Sequence, residues 1–71
     1  MNEAVVIVDD SLTVRMDLAD AFREAGFVAL PCSNMADARA AMAQAPASVF
    51  ILDVLLPDGD GVDLLREIRR A

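Results

Sequence analysis

The sequence contains no lysine and no histidine, and all six of its basic residues are arginine. It has one cysteine, Cys32, so no internal disulfide can form and a reducing, cytoplasmic setting is expected. With no histidine or lysine near it, Cys32 has nothing to activate it as a nucleophile, and it reads as a small core or edge residue. No apolar run approaches the roughly 20 residues of a membrane span. The amino terminus lacks the basic start and long apolar core of a secretion signal. Positive charge is scarce, and the net charge of −6 argues against binding nucleic acid. Seventy-one residues make one domain at most. A chain of this size buries only about 60% of its unfolded surface. The apolar fraction of 56% nevertheless excludes a disordered chain.

What is present reads as three strand–helix units in a row. AVVIV (Ala4–Val8) is a continuous β-branched run, as expected of a strand buried on both faces of a parallel sheet. Ser11 opens a helix in which Val14, Leu18, Ala21, Phe22 and Ala25 recur at helical spacing, and Gly26 stops it. FVAL (Phe27–Leu30) is a short second strand ended by Pro31. Ser33 or Asn34 then caps an alanine-rich helix from Met35 to Gln44, broken before Pro46. SVFIL (Ser48–Leu52) is the third strand. VDLLREIRR (Val62–Arg70) is the third helix, with Val62, Leu65 and Ile68 on one face. Met16, Met35 and Met42 are expected as core filler. Arg66, Arg69 and Arg70 suit the carboxyl end of the last helix dipole. The βαβαβα order predicts a doubly wound parallel sheet with right-handed crossovers and helices on its faces.

The chemistry lies in the carboxylates. Asp9 and Asp10 directly follow the first strand, and Asp53 directly follows the third. Doubly wound sheets bind ligands at the carboxyl ends of their strands, where the winding direction switches. If the first and third strands are neighbours, three carboxylates meet within a few ångströms and repel one another in a partly buried crevice. A divalent cation removes that conflict, and an all-oxygen donor set suits Mg²⁺. An aspartate beside such a metal is also a competent phosphoryl acceptor. The plainer alternative for Asp10 is a helix cap before Ser11. Two other motifs come close. Asp58, Asp60, Gly61 and Glu67 fall at EF-hand positions three, five, six and twelve, but position one is Leu56 and a strand stands where the incoming helix belongs. A haloacid-dehalogenase-type phosphatase needs Asp-x-Asp, whereas Asp9 and Asp10 are adjacent.

With VVIVDDS, FILDVLLPDGDG and the LLREIR helix in place, the chain resembles the receiver domain of bacterial two-component response regulators over Val5–Arg69. The resemblance implies a flavodoxin-like sheet with strand order 2-1-3. It implies that Asp53 is the phosphoacceptor, receiving its phosphoryl group from a histidine kinase or phosphotransfer protein. It further implies that Asp9 and Asp10 hold Mg²⁺, with Asp10 ahead of Asp9 as direct ligand. Asp53 and the backbone carbonyl of Leu55 would complete the protein ligands. Pro57 and Gly61 match the residues that shape the loop, whereas Gly59 adds only flexibility.

Relative to that family, residues 1–71 correspond to the first three of five βα units, so the chain reads as a partial, truncated receiver domain. The hydroxyl residue after the fourth strand and the lysine after the fifth have no counterparts. Arg15, a turn into the first helix and expected on its solvent face, is no stand-in for that lysine. Leu55 is apolar where many relatives carry a polar group, which would slow water-mediated loss of phosphate. SVFIL becomes an unpaired edge strand, and a homodimer pairing across it is expected. The expected function is that of a switch more than an enzyme. The alternative is a fragment serving only as a structural or dimerisation unit, without phosphorylation-dependent switching.

Overall fold

A computed structural model describes residues 3–70. The elements are β1 (Ala4–Val8), α1 (Leu12–Glu24), β2 (Val28–Cys32), α2 (Met35–Gln44) and β3 (Val49–Leu52). A small hairpin of β4 (Leu55–Leu56) and β5 (Gly59–Asp60) follows, then α3 (Gly61–Arg70). β1, β2 and β3 form a parallel sheet in the order β2-β1-β3, as expected from the sequence. β1 takes the centre because both of its faces must be buried, and all five of its residues are. Burying Val5, Val6, Ile7 and Val8 is worth about 1.5–3 kcal/mol each, as an upper figure, so this strand dominates the core.

Alternation along β1 divides the core in two. Val6 and Val8 face Cys32, Met35, Ala38, Leu56 and Leu64 on the side covered by α2 and α3. Val5 and Ile7 face Ala19 and Ala29, with Leu18 and Phe22 of α1 packed against them. Helices on both faces make the sheet doubly wound.

The ends of α1 follow their local chemistry. The Ser11 hydroxyl accepts a hydrogen bond from Val14 N at 3.4 Å. At the other end Gly26, at φ +95°, lets its amide bond Arg23 O while Phe27 N bonds Phe22 O, which is the Schellman arrangement. Phe27 then packs edge-on against Phe22, with centroids 5.3 Å apart.

Three details differ from the sequence-based expectation. β2 does not end at Pro31 but runs through it to Cys32, pairing Ile7 with Pro31. β2 is an edge strand, so the missing N–H can face its unpaired side. The buried stripe of α1 is Arg15, Leu18, Ala19 and Phe22, not the set containing Val14, Ala21 and Ala25, and Met16 is exposed. In α3 the anchor is Leu64, at 0% exposure, whereas Val62 and Leu65 are 40% and 44% exposed. The chain is rich enough in alanine, valine and leucine for apolar residues to fit more than one helical phase. Contact with the sheet decides among them.

Candidate functional site

Register carries the site. Val8 and Leu52 are partners across β1 and β3, so the residues that follow, Asp9 and Asp53, emerge side by side at the carboxyl edge. Asp53 N donates to Val8 O at 2.8 Å, and Asp9 N donates to Cys32 O at 3.1 Å. Both backbones are thereby held at the moment they leave the sheet. Asp10 follows at the turn into α1, and because Ser11 is that helix's cap, Asp10 is not needed there. One carboxylate oxygen from each of Asp9, Asp10 and Asp53 lies within 4.8 Å of the other two. Asp9 and Asp53 are half-buried and Asp10 is exposed. Asp9 Oδ1 already accepts from Ser11 N at 2.8 Å.

These donors fit a Mg²⁺ ion. Opposite ligands around octahedral Mg²⁺ stand roughly 4.2 Å apart at bond lengths of about 2.1 Å, so oxygens grouped within 4.8 Å of one another need close by only about 0.6 Å at most to share one ion. The set is all oxygen, as this hard cation prefers.

The loop after Asp53, shaped by its proline and glycines, is a tight hairpin. Leu55 pairs with Asp60, and Leu56 pairs with Gly59. Gly61 N donates to Val54 O at 2.7 Å. A Cβ on Gly61 would collide with the Asp53 carbonyl, so close backbone approach requires glycine there. Gly59 is likewise more than a flexible joint, because a Cβ on it would strike the side chain of Met35. Leu55, two residues after Asp53, is 78% exposed, while Leu56 is buried.

Sequence reading missed how this hairpin is held. The Asp58 carboxylate accepts from Met35 N at 2.8 Å and Ala36 N at 3.1 Å, and Asn34 Oδ1 accepts from Asp37 N at 2.8 Å. All three leading amides of α2 are thus satisfied, two of them by a residue more than twenty positions away. Arg39 and Glu67 form a bidentate pair at 2.9 Å that ties α2 to α3. Asp60 Oδ1 accepts from Val62 N at 2.8 Å and caps α3. Asp58, Asp60 and Glu67, the acidic residues that mimic an EF-hand, are all engaged in these contacts. Pro-Asp-Gly signals a turn in sequence, and only the folded position of α2 gives Asp58 its second role.

These contacts predict an acid-sensitive fold. The Met35 amide bond, ahead of the other contacts, holds the Asp58 carboxyl below its ordinary value of 3.8. The Arg39 hydrogen bond holds Glu67 below 4.5. Folding lowers both, so their stabilisation is complete above those ordinary values and is lost as pH falls through the folded ones. Urea unfolding should therefore show stability falling on acidification below about pH 4.5. Asp58→Asn should flatten that slope, and an unchanged slope in the variant would contradict the assignment.

Two other residues expected from sequence are now located. Cys32 is buried, and burial pushes its thiol up, which suits a packing residue and not a nucleophile. Arg15 is not on the solvent face. It is half-buried, and its Nη1 donates to Asp9 O at 2.8 Å.

An open parallel sheet bearing three clustered carboxylates at the ends of adjacent strands defines a flavodoxin-like module with an acidic crevice. Residues 5–71 match the response regulator receiver domain, and the chain belongs to that family. It is 42% identical over 66 residues to the transcriptional regulatory protein GltR of Pseudomonas aeruginosa, covering 93% of this chain and 27% of that protein. It is 37% identical to the regulatory protein VanRc of Enterococcus gallinarum over 71 residues, covering 99% of this chain and 30% of that protein. It is 28% identical to sporulation initiation phosphotransferase F of Bacillus subtilis over 69 residues, covering 97% of this chain and 56% of that protein. The chain therefore spans between about a quarter and somewhat over half the length of these relatives. Receiver domains are phosphoacceptor modules of two-component signalling. They generally bind Mg²⁺ at an acidic pocket and interact with histidine kinases or phosphotransfer proteins. Among the described residues no helix is long and apolar enough to cross a membrane.

Proposed function

We propose that this chain is the phosphoacceptor part of a two-component relay, taking a phosphoryl group onto Asp53. The donor would be the phosphohistidine of a sensor kinase or phosphotransfer protein. The observation that carries this reading is the register that sets Asp53 beside Asp9 and Asp10. Asp9, Asp10, Asp53 and the Leu55 carbonyl would hold Mg²⁺, with Asp10 ahead of Asp9 as direct ligand and Asp9 Oδ1 already engaged by Ser11 N. When bound, the ion supplies neutralisation of the negative charge that otherwise keeps a phosphoryl group away from three carboxylates. An Asp53 oxygen forms the new P–O bond as the donor's P–N bond breaks, and the donor's imidazole leaves. Asp9, held through its amide and Oδ1, orients the crevice. The half-buried setting of Asp53 limits water around the acyl phosphate, and Leu55 beside it slows hydrolysis. The module acts as a switch and not as an enzyme.

Intact-mass spectrometry after incubation with acetyl phosphate and Mg²⁺ tests this directly. One labile phosphoryl group should appear on the wild type and none on Asp53→Asn. Equal labelling of both proteins, or none on a wild type shown to bind Mg²⁺, would leave only a structural role for the pocket.

The outer edge of β3 supports a second property. Among the described residues it is unpaired, and its four residues are only half-buried. Pairing of that edge across a two-fold axis would cover it and give a homodimer. Light scattering at micromolar concentration should report a dimer, and a stable monomer would rule this out.

A further inference from the structure

Arg15 lies at the top of the sheet-facing stripe of α1, in helical register with Leu18, Ala19 and Phe22 at positions i, i+3, i+4 and i+7. Helical side chains lean toward the amino terminus, so its guanidinium points back over the first turn toward the end of β1. There Nη1 donates to the main-chain oxygen of Asp9 at 2.8 Å in a partly buried setting. The other paired arginines are held by acidic side chains on helices: Arg23 by Asp20, Arg39 by Glu67 and Arg66 by Asp63. Among the described residues, Arg15 is the arginine that bonds a member of the acidic cluster.

We propose that Arg15 is a positioning residue that sets the direction of the Asp10 carboxylate by holding the Asp9–Asp10 peptide. The Asp9 carbonyl and the Asp10 N–H belong to one rigid plane. Three contacts fix Asp9: its amide on Cys32 O, its Oδ1 on Ser11 N, and its carbonyl under Arg15. The first anchors only the amide side of Asp9, and the second restrains the following peptide plane indirectly, through an Asx turn that closes over Asp9 ψ and Asp10. The third grips the plane's own oxygen, and it is the only one of the three whose partner is the side chain of another residue. Release of the carbonyl would let the plane turn and swing Asp10 away from Asp53.

This inference rests on the Mg²⁺ reading above, and its test separates the two. Mg²⁺ affinity is measured by calorimetry on the wild type, Arg15→Met and Arg15→Lys, at a temperature where circular dichroism shows each folded. The proposal predicts five- to twentyfold weaker binding for Arg15→Met and recovery to within about threefold for Arg15→Lys, which keeps a donor. Unchanged affinity in folded Arg15→Met would overturn it and leave a packing role. Tighter binding would also overturn it, showing a cation that merely opposes the metal. If Arg15→Met does not fold, Arg15→Leu, which also lacks a donor, against Arg15→Lys carries the same comparison. If the wild type binds no Mg²⁺, the metal reading fails and the metal-free amide resonances of Asp10 and Ser11 decide. Displacement of both in Arg15→Met and restoration in Arg15→Lys supports the positioning role, and no displacement overturns it.

Discussion

Gly61→Ala should lose about 3 kcal/mol or more of folding stability, the upper end for forced overpacking, and Mg²⁺ binding with it. The added Cβ would meet the main-chain carbonyl of Asp53, with the Asp53 carbonyl carbon and Val54 Cα close behind. No flexible side chain can move aside to make room, so backbone must shift. The segment that shifts carries Asp53 itself and the Leu55 carbonyl, so damage to the fold and to the site arrives together. A 71-residue domain has roughly 4–10 kcal/mol to lose, so the variant should also be partly unfolded near its melting range. Urea denaturation with parallel Mg²⁺ titration checks both effects. Stability within 0.5 kcal/mol of wild type, the range of an ordinary surface change, would show that the hairpin is looser than described.

Leu64→Ala should cost about 2–5 kcal/mol. Leu64 is fully buried beside Val6, Val8, Met35 and Leu56, under the hairpin and against α2. Truncation opens a cavity where two helices and the sheet meet. Leu65→Ala, next in sequence but 44% exposed, should cost less than about 1 kcal/mol. The pair is informative because the amino-acid pattern alone favours Leu65 on the buried face. Equal losses measured by denaturant titration would mean that α3 is rotated from the phase seen here.

The strands and the acidic trio were readable from sequence for the same reason. A β-branched run such as Ala4–Val8 buries on both faces whatever surrounds it. An aspartate immediately after such a run has nowhere to go but the sheet's carboxyl edge. Once β1 and β3 are neighbours, the meeting of Asp9, Asp10 and Asp53 follows from connectivity alone. Helix phase was harder to read, because Val14, Ala21 and Leu65 are as apolar as the residues that are actually buried. Pro31 looked like a strand end because its tolerance depends on β2 lying at an edge. Asp58, Arg39 and Glu67 were invisible as a group, since their contacts span 22 to 28 positions and exist only after α2 packs. Arg15 falls on the solvent face in the phase that the apolar pattern of α1 favours, and only the phase set by contact with the sheet brings it to Asp9.

The measurement closest to the central claim is to locate the acyl phosphate. The chain would be incubated with acetyl phosphate and Mg²⁺, reduced with borohydride to convert an aspartyl phosphate to homoserine, then digested and sequenced by mass spectrometry. Homoserine at position 53 alone is the expected result, with none when Mg²⁺ is removed by a chelator. Homoserine at position 9 or 10, or at 53 irrespective of metal, would contradict the account of three aspartates forming one cation-dependent phosphoacceptor site.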